Sequence, residues 1–189
     1  MYYNRPIILI GKSGSGKTTV ANCLVNHFGF QQIKTYTTRP KRTDELDDAY
    51  HFITNAEFDA LKKSDFFAES YQKILNNGVR IQYGSAKEDY ALDANKVIIL
   101  TPMGMQNAVK SLGVMNTSVI YLKMSDDILL ERLHNRNSET NADITTRLAQ
   151  EAIDFDHIEP SCDFVINRNN LDSDNVADLI NRYNKGLLY

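Results

Sequence analysis

The sequence is poor in the residues that mark several protein classes. Its 189 residues include two cysteines, four prolines, nine glycines and no tryptophan. Cys23 and Cys162 stand far apart, outside any C-x-x-C pair or histidine cluster, so the sequence indicates neither a zinc site nor a disulfide framework. Both thiols are therefore predicted to be buried and reduced. The four histidines have no spacing typical of a metal or acid–base site.

Long apolar segments and an excess of one charge are also missing. No apolar run approaches the roughly 20 residues that span a bilayer, and the first six residues are polar and aromatic, unlike a secretion leader. The 21 Lys and Arg against 24 Asp and Glu give a net charge of −3, whereas a nucleic-acid-binding domain usually carries a basic excess. We therefore expect a cytoplasmic protein without a membrane or nucleic-acid partner, with a local anion pocket still open.

Four short apolar runs alternate with helical patterns along the chain. The runs cover residues 7–10, 97–100, 119–122 and 164–166, and their β-branched residues are typical of strands buried on both faces. Helical spacing is found at 20–27, 128–133, 144–155 and 176–183. This repetition of strand and helix predicts an α/β fold with a central parallel sheet between layers of helices. No linker composition divides the chain, so we expect one folding unit.

Residues 43–88 show a different pattern, with short apolar segments separated by polar turns. This pattern predicts a small β-rich insertion. Within it, residues 54–57 have the form T-x-x-E of a helix capping box, and Phe58 and Leu61 follow at helical spacing. We therefore expect one short helix in the insertion.

The strongest motif is G-K-S-G-S-G-K-T at residues 11–18, between the first predicted strand and the first predicted helix. It matches the phosphate-binding loop G-x-x-x-x-G-K-[ST], and a chance match at one start has a probability on the order of 10⁻⁵ to 10⁻⁴. An ordinary glycine-rich turn is the alternative. The glycines allow successive backbone N–H groups to face a polyphosphate at the helix N-terminus. Lys17 would then bridge the β- and γ-phosphates, and Thr18 would hold Mg²⁺.

The loop therefore predicts binding of a nucleoside triphosphate with Mg²⁺. The residues assigned to it are Gly11, Ser13, Gly14, Ser15, Gly16, Lys17, Thr18 and Thr19. GTPases, ATPases and small-molecule kinases share this loop, so the acceptor of the phosphoryl group must be read from other residues.

Further motifs follow the loop along the chain. They are T-T-R-P-K-R at 37–42, D-D-A-Y-H-F at 47–52, F-F-A-E at 66–69 and Y-G-S at 83–85. Together with the loop, they resemble the motifs of guanylate kinases, and the resemblance runs from Ile7 to the last predicted helix. It implies a P-loop three-layer α/β/α fold with about five parallel strands, a β-rich insertion for the nucleoside monophosphate and a helical lid. It also implies ATP- and Mg²⁺-dependent phosphoryl transfer to GMP or dGMP.

Four residues of these motifs have the chemistry to hold a monophosphate. Arg39 and Arg42 are three apart, and planar guanidinium groups match phosphate oxygens bidentately. Tyr50 and Tyr83 would add hydroxyl donors. A solvated basic face for the arginines and ordinary packing for the tyrosines are the alternatives.

The resemblance assigns the guanine base to three other residues. Thr35 and Ser85 would contact the base, and Glu69 would accept hydrogen bonds from guanine N1–H and N2–H₂. The family has two acidic residues at the end of one central strand, where this chain has Thr101 and Met103. Their absence predicts weaker metal positioning and relaxed guanine selectivity, so the substitution Met103→Asp is expected to sharpen that selectivity.

Arginines at helical spacing follow the third apolar run. Arg132 and Arg136 are four residues apart and share one helical face, and Arg147 follows on the next predicted helix. By resemblance, these arginines close over the transferring phosphate. Lys17, Arg136 and Arg147 are assigned to catalysis, and Arg132 and Asn167 to ATP binding. Surface pairing with neighbouring glutamates is the alternative for the arginines, and an ordinary turn is the alternative for Asn167.

Three functions stay open at this point, and the resemblance favours a GMP or dGMP kinase. Its expected division is a core (1–34, 89–130 and 157–189), an insertion for the nucleoside monophosphate (35–88) and a lid (131–156). A kinase of the same fold with another phosphorylated acceptor, such as a ribose bisphosphate or a different nucleotide, would explain Met103. Lys73 and Arg80, in a segment longer than the family's hairpin, would reach that acceptor. A non-catalytic nucleotide-binding module would explain the missing carboxylates but not the retained Lys17.

Overall fold

The computed structural model describes residues 5–41, 50–74, 78–92, 94–135 and 140–187. Its strands, in chain order, are β1 Ile7–Ile10, β2 Gln31–Gln32, β3 Tyr36–Thr37, β4 His51–Phe52, β5 Phe67–Ile74, β6 Arg80–Ala86, β7 Lys96–Ile99, β8 Ser118–Lys123 and β9 Phe164–Asn167. Within the described residues, β2, β7, β1, β8 and β9 form a parallel five-stranded sheet in this order. This confirms the predicted α/β fold with a central parallel sheet.

Helices cover both faces of this sheet. The helices of the described residues are α1 Lys17–Phe28, α2 Asn55–Lys63, α3 Pro102–Leu112, α4 Asp126–Asn135, α5 Asn141–Asp154 and α6 Ser173–Asn184, and α2 packs against β5 and β6. Because successive side chains of a strand point to opposite faces, Ile7 and Leu9 pack with α1 and α6 on one side. Ile8 and Ile10 pack with α3 on the other side. All four side chains are fully buried, and the burial of each contributes roughly 1.5–3 kcal/mol to the stability of the fold. Because both faces of β1 are covered, all four of its residues are apolar.

A second sheet lies beside the first and has the strand order β4, β3, β6 and β5. The capping box predicted for α2 is present, since Thr54 Oγ1 accepts from Glu57 N at 3.2 Å and Thr54 N donates to Glu57 Oε2 at 2.7 Å. Phe58 on this helix is fully buried and stacks on Phe67 of β5, with 4.5 Å between the ring centroids. The expected β-rich segment and its short helix are therefore both found.

The hairpin of β5 and β6 accounts for the long segment at 70–82. The two strands pair antiparallel as far as Ile74 opposite Arg80. A register shift between Phe67 and Glu69 marks a β-bulge, a feature that redirects side chains and often lies next to active sites.

Two details of the fold differ from the prediction. β2 gives no apolar signal, because Gln31 and Gln32 are exposed and join the sheet by pairing their backbones with β7. Cys23 and Cys162 are free but only half-buried at the edges of the two cores, so the prediction of buried thiols is wrong. Among the described residues, no helix is both long and apolar enough to cross a membrane.

Candidate active site

The phosphate-binding motif forms a tight turn between β1 and α1. Gly14 and Gly16 have φ angles of 84° and 80°, in the left-handed region that favours glycine. A Cβ atom on Gly11 would lie 2.6 Å from Ser15 Oγ, so close approach of the chain requires that glycine. The turn brings the N-terminus of α1, with its partial positive charge, to the centre of the loop, which is the arrangement of an anion site.

Lys17 is held against this loop. Its Nζ donates to the carbonyl oxygens of Gly11 at 2.7 Å and of Lys12 at 3.1 Å. The ammonium group is therefore already placed beside the loop, where a polyphosphate would meet it. Lys12 Nζ pairs with Asp126 Oδ1 at 2.7 Å, which ties the loop to the start of α4.

A carboxylate from α5 also binds this loop. Ser13 N donates to Glu151 Oε2 at 2.8 Å, and Ser13 Oγ donates to Glu151 Oε1 at 2.6 Å. Both carboxylate oxygens thus occupy donors that a phosphate group would use. Sequence analysis missed this contact, because the two residues are 138 positions apart and nothing local links them.

Replacement of Glu151 by glutamine is expected to tighten ATP binding roughly five- to tenfold, because the phosphates no longer displace a charged competitor from Ser13. Calorimetric titration with ATP, with and without Mg²⁺, measures the effect. Glu131→Gln, on the exposed side of α4, is the matched control and should leave the affinity unchanged. Weaker binding of Mg²⁺-ATP by the Glu151 variant would contradict this account and would assign Glu151 to the metal instead.

The loop faces a cleft of about 280 Å³, here called the main cleft. The predicted site residues that line it are Gly11, Ser13, Lys17, Thr35, Tyr50, Glu69 and Tyr83. Glu151 and Asp154 of α5 close it on one side, and Thr101 and Pro102 close it at the start of α3. The structure therefore brings the predicted phosphate-binding lysine and the predicted base-reading glutamate to one cavity.

Glu69 is the most unusual side chain of the main cleft. It is only 2% exposed, and its Oε1 accepts from Ser85 Oγ at 3.0 Å. Its Oε2 has no hydrogen-bond partner among the described residues. Burial raises the pKa of Glu69 to about 7, against the opposing effect of hydrogen bonds from Ser85. A buried acceptor without a donor is costly, so this oxygen is suited to a ligand that presents N–H groups.

Ser85 lies behind Glu69 and is not among the residues lining the main cleft. It is fully buried, and its Oγ shares a 2.7 Å hydrogen bond with the hydroxyl of Tyr90. The assignment of Ser85 to the base stays a prediction, and its hydrogen bond to Oε1 of Glu69 helps to position that carboxylate. Tyr90, which sequence analysis missed, completes this buried network.

Tyr71 is a second residue of the main cleft that sequence analysis missed. Its ring stacks on Tyr83 with 5.1 Å between centroids and 15° between planes, and both residues line the cleft. Burial is the main cause that raises the pKa of Tyr71, so its hydroxyl stays protonated at neutral pH. Tyr71 could have been predicted from the sequence, because it is two residues from Glu69 on β5 and side chains at that spacing share one face of a strand.

The predicted arginine clamp is only partly described. The guanidinium carbon of Arg39 lies 5.4 Å from the ring centroid of Tyr50 and 5.8 Å from that of Phe52, a cation–π arrangement. Its Nη1 donates to the carbonyl oxygen of Pro40 at 2.8 Å, and Arg39 is not among the residues lining the main cleft. Arg42 lies outside the described residues.

The positions that replace the family's acidic pair have separate roles. Thr101 caps α3, with its Oγ1 accepting from Gly104 N at 3.1 Å. Met103 is 63% exposed and is not among the residues lining the main cleft, so the geometry does not support the expected effect of Met103→Asp. Gly104 faces the site instead, since a Cβ there would lie 3.3 Å from Glu69 Oε2.

A second cavity, of about 470 Å³, borders the same loop. Arg132 lines it, and its Nη1 donates to Gly14 O at 3.4 Å, while its assignment to ATP binding stays a prediction. Arg168, which sequence analysis missed, is 3% exposed and donates to Ser15 O at 2.8 Å and to Ser173 Oγ at 2.6 Å. Burial, followed by the charge of Arg132, lowers the pKa of Arg168. Arg168 therefore fixes the outer wall of the loop.

Two further predicted residues, Asn167 and Arg147, do not line the main cleft or the second cavity. Asn167 ends β9, is exposed and accepts from Asn169 N at 3.3 Å, a contact typical of a turn residue, and its assignment to ATP binding stays a prediction. Arg147 lies on α5, one turn before Glu151. Gly14, Gly16 and Thr19 do line the second cavity, whereas Arg136 lies outside the described residues.

Lys73 and Arg80, considered for another acceptor, lie at the far end of the β5–β6 hairpin. Arg80 Nη2 donates to Asp59 Oδ2 of α2 at 2.7 Å, and neither basic residue is among those lining the main cleft. The geometry therefore gives no support to an acceptor that these residues bind.

Comparison with known proteins gives a consistent family. The family model described as guanylate kinase matches residues 3–183. A guanylate kinase of Neisseria meningitidis serogroup A is 32% identical over 148 residues, which cover 76% of this chain and 70% of that protein. A guanylate kinase of Pseudoalteromonas translucida is 32% identical over 173 residues, covering 88% of this chain and 80% of the relative.

Solved structures show the same fold. The crystal structure of guanylate kinase from Anaplasma phagocytophilum superposes with a TM-score of 0.67 at 19% identity and covers 98% of this chain and 87% of that one. A shikimate kinase from Acinetobacter baumannii in complex with shikimate gives a TM-score of 0.54 at 14% identity, with coverage of 96% and 93%. The family-model match and the relatives at 32% identity, over most of both chains, show that this chain belongs to the guanylate kinase family.

Proposed function

We propose that this protein transfers the γ-phosphoryl group of ATP to GMP or dGMP and releases ADP and the nucleoside diphosphate. The observation that carries this proposal is the buried Oε2 of Glu69, which has no hydrogen-bond partner in the described part of the chain and lies in the same cleft as Lys17. Guanine presents two adjacent donors, N1–H and N2–H₂, to such a carboxylate. Adenine has an acceptor at N1, which the carboxylate would repel, so the site favours guanine.

The two cavities divide the substrates. ATP would place its phosphates on the loop and its base in the second cavity, between Arg132 and the wall fixed by Arg168. GMP would occupy the main cleft, with its base against Glu69 and its phosphate near the hydroxyls of Tyr50 and Tyr83. In this arrangement, the acceptor phosphate of GMP and the γ-phosphate of ATP would both lie near Lys17.

The chemistry needs positioning and charge cancellation rather than a side-chain base. An acceptor phosphate is ionised at neutral pH and attacks in line once it is oriented. Lys17 would exchange its two carbonyl contacts for phosphate oxygens and cancel the charge that develops during transfer. Glu151 must leave Ser13 before the phosphates bind there, which couples nucleotide binding to a movement of α5.

A magnesium ion fits the residues at the loop. Thr18 is exposed in the first turn of α1, next to Lys17, and its hydroxyl oxygen is a ligand of the kind that Mg²⁺ binds. Mg²⁺ commonly keeps several waters and relies on substrate phosphates, so the absence of the family's acidic pair does not exclude it. When bound, the ion supplies cancellation of charge on the phosphates, and Thr18 would hold it.

We also infer the division of the chain that sequence analysis expected. The core would hold the loop, the segment 35–88 would bind the nucleoside monophosphate, and the segment 131–156 would close as a lid. The lid would deliver Arg132, Arg136 and Arg147 toward the phosphates. The contact of Glu151 with Ser13 supports such a lid, since it joins α5 to the loop.

An acceptor panel tests this function. ADP formation from Mg²⁺-ATP is followed by a coupled assay with GMP, dGMP, AMP, CMP, UMP and a ribose bisphosphate offered separately. We expect a response to GMP and dGMP, with AMP at least roughly tenfold weaker in kcat/KM, because AMP leaves Glu69 facing an acceptor. A response to another acceptor alone would replace the proposed substrate. Silence with all of them, despite ATP binding, would indicate a non-catalytic module.

A further inference from the structure

Three side chains with metal-binding chemistry meet where α1 packs against the start of α6. Cys23 and His27 are four residues apart on α1, and Asp174 lies in the first turn of α6. One donor atom from each residue lies within 4.8 Å of the other two. His27 Nδ1 is 3.0 Å from Asp174 Oδ1. None of the three lines the main cleft or the second cavity.

The two helices hold this trio on a rigid base. Val20 and Leu24 of α1 pack against Val176 and Ile180 of α6, and all four side chains are fully buried. The tips of the donors remain accessible, since the side chains of His27 and Asp174 are 56% and 68% exposed. The backbone is therefore fixed while the donor groups can rotate onto an ion, and solvent can supply a fourth ligand.

The donor set matches zinc better than a hard cation. Thiolate and imidazole are ligands that Zn²⁺ prefers, and carboxylate is a common third one. With bond lengths of about 2.0–2.3 Å, tetrahedral ligands lie roughly 3–4 Å apart, so small side-chain rotations suffice. One thiolate and one carboxylate would balance the two charges of the ion.

A role for Cys23 as an activated nucleophile fits the structure less well. Burial and a hydrogen bond to Asp174 raise the pKa of Cys23, so the thiol is protonated at neutral pH, while nearby Arg168 only partly opposes this shift. A metal ion would change this state, because binding of the ion releases the thiol proton to solvent as the sulfur–metal bond forms.

We propose that Cys23, His27 and Asp174 form a site for a thiophilic divalent cation such as Zn²⁺, with water as the fourth ligand. The bound ion clamps α1 to α6. The clamp joins the helix that begins at Lys17 to the helix that follows Arg168, so it stabilises the two elements beside the phosphate-binding loop. The site does not depend on which nucleotide the protein phosphorylates.

Cobalt is a visible probe for this site. The full-length, metal-free protein is titrated with Co²⁺, and we expect d–d absorption of a tetrahedral ion together with a thiolate-to-cobalt charge-transfer band. Stoichiometric Zn²⁺ should remove both signals and raise the melting temperature. Cys23→Ser should abolish the charge-transfer band, and His27→Asn and Asp174→Asn should each weaken binding at least roughly tenfold.

Cys162→Ser is the matched control, because Cys162 is the other half-buried cysteine and lies away from α1. It should keep the full spectrum. Circular dichroism of each variant before addition of metal separates loss of ligand from loss of fold. Absence of the charge-transfer band in the folded wild-type protein would overturn the proposal, as would its persistence in Cys23→Ser or its loss in Cys162→Ser.

Discussion

Replacement of Lys17 by alanine is expected to lower kcat by roughly two to three orders of magnitude, with a smaller change in GMP affinity. Lys17 Nζ lies 2.7 Å from Gly11 O and 3.1 Å from Lys12 O, so its charge is already fixed where the β- and γ-phosphates would lie. A charge that is in place before the reaction stabilises the transition state without reorganisation. Initial rates at saturating ATP and GMP measure the effect.

The control for this prediction is Lys123→Ala. Lys123 pairs with Glu159 at 2.6 Å at a half-exposed position, and exposed pairs contribute little to stability. This variant should keep wild-type turnover. Near-normal turnover of Lys17→Ala under the same conditions would remove the phosphate-binding loop from the mechanism.

Replacement of Glu69 by glutamine is expected to raise the KM for GMP roughly a hundredfold at pH 8, because the new amide N–H₂ would face the donor edge of guanine. In the wild type, the KM for GMP should rise as the pH falls below about 7. Burial raises the pKa of Glu69 to about 7, so below this pH the carboxyl group is protonated and offers guanine one acceptor fewer. The glutamine variant should lose this pH dependence. KM values measured on both sides of neutrality test both statements.

The raised pKa of Glu69 also predicts how the stability of the protein changes with pH. In the folded protein this pKa is raised from 4.5 to about 7, so the folded state binds the carboxyl proton more tightly than the unfolded state does. The resulting stabilisation is complete below about pH 4.5 and is lost as the pH rises to about 7, a change of about 3 kcal/mol at 1.36 kcal/mol per pKa unit. Denaturant unfolding without nucleotide should show this loss in the wild type but not in Glu69→Gln.

Glu88→Gln is the matched control for both measurements, because Glu88 is exposed just after β6. It should leave KM and its pH dependence unchanged. A wild-type KM for GMP that stays constant from pH 6 to pH 8 would contradict the assignment of Glu69 to the base, since a group with a pKa of about 7 titrates in this interval.

Much of the fold could be predicted because its signals are local. β1 is buried on both faces, so residues 7–10 are all apolar, and Thr54 and Glu57 cap α2 within one turn of sequence. β2 could not be predicted, because Gln31 and Gln32 join the sheet only through their backbones. The half-exposure of Cys23 also depends on how α6 packs, which the sequence of α1 does not contain.

The candidate site divides in the same way. The loop at residues 11–18 could be predicted because one short motif determines its turn. Glu69 could be predicted because it lies within a motif that resembles one of the family. Contacts between distant segments gave no local signal: Glu151 meets Ser13 across 138 positions, and Arg168 meets Ser15 across 153. The role of Gly104 opposite Glu69 also required the structure, because it depends on where α3 begins.

Direct detection of the products tests the central claim most sharply. The protein is incubated with γ-labelled ATP, Mg²⁺ and GMP, and the nucleotides are separated by ion-exchange chromatography. The account predicts labelled GDP in equal amounts to ADP, no labelled GDP with Lys17→Ala on the same time scale, and strongly reduced labelling with Glu69→Gln at low GMP. Formation of ADP and free phosphate without labelled GDP would contradict it and would identify a nucleotide hydrolase that does not use GMP as an acceptor.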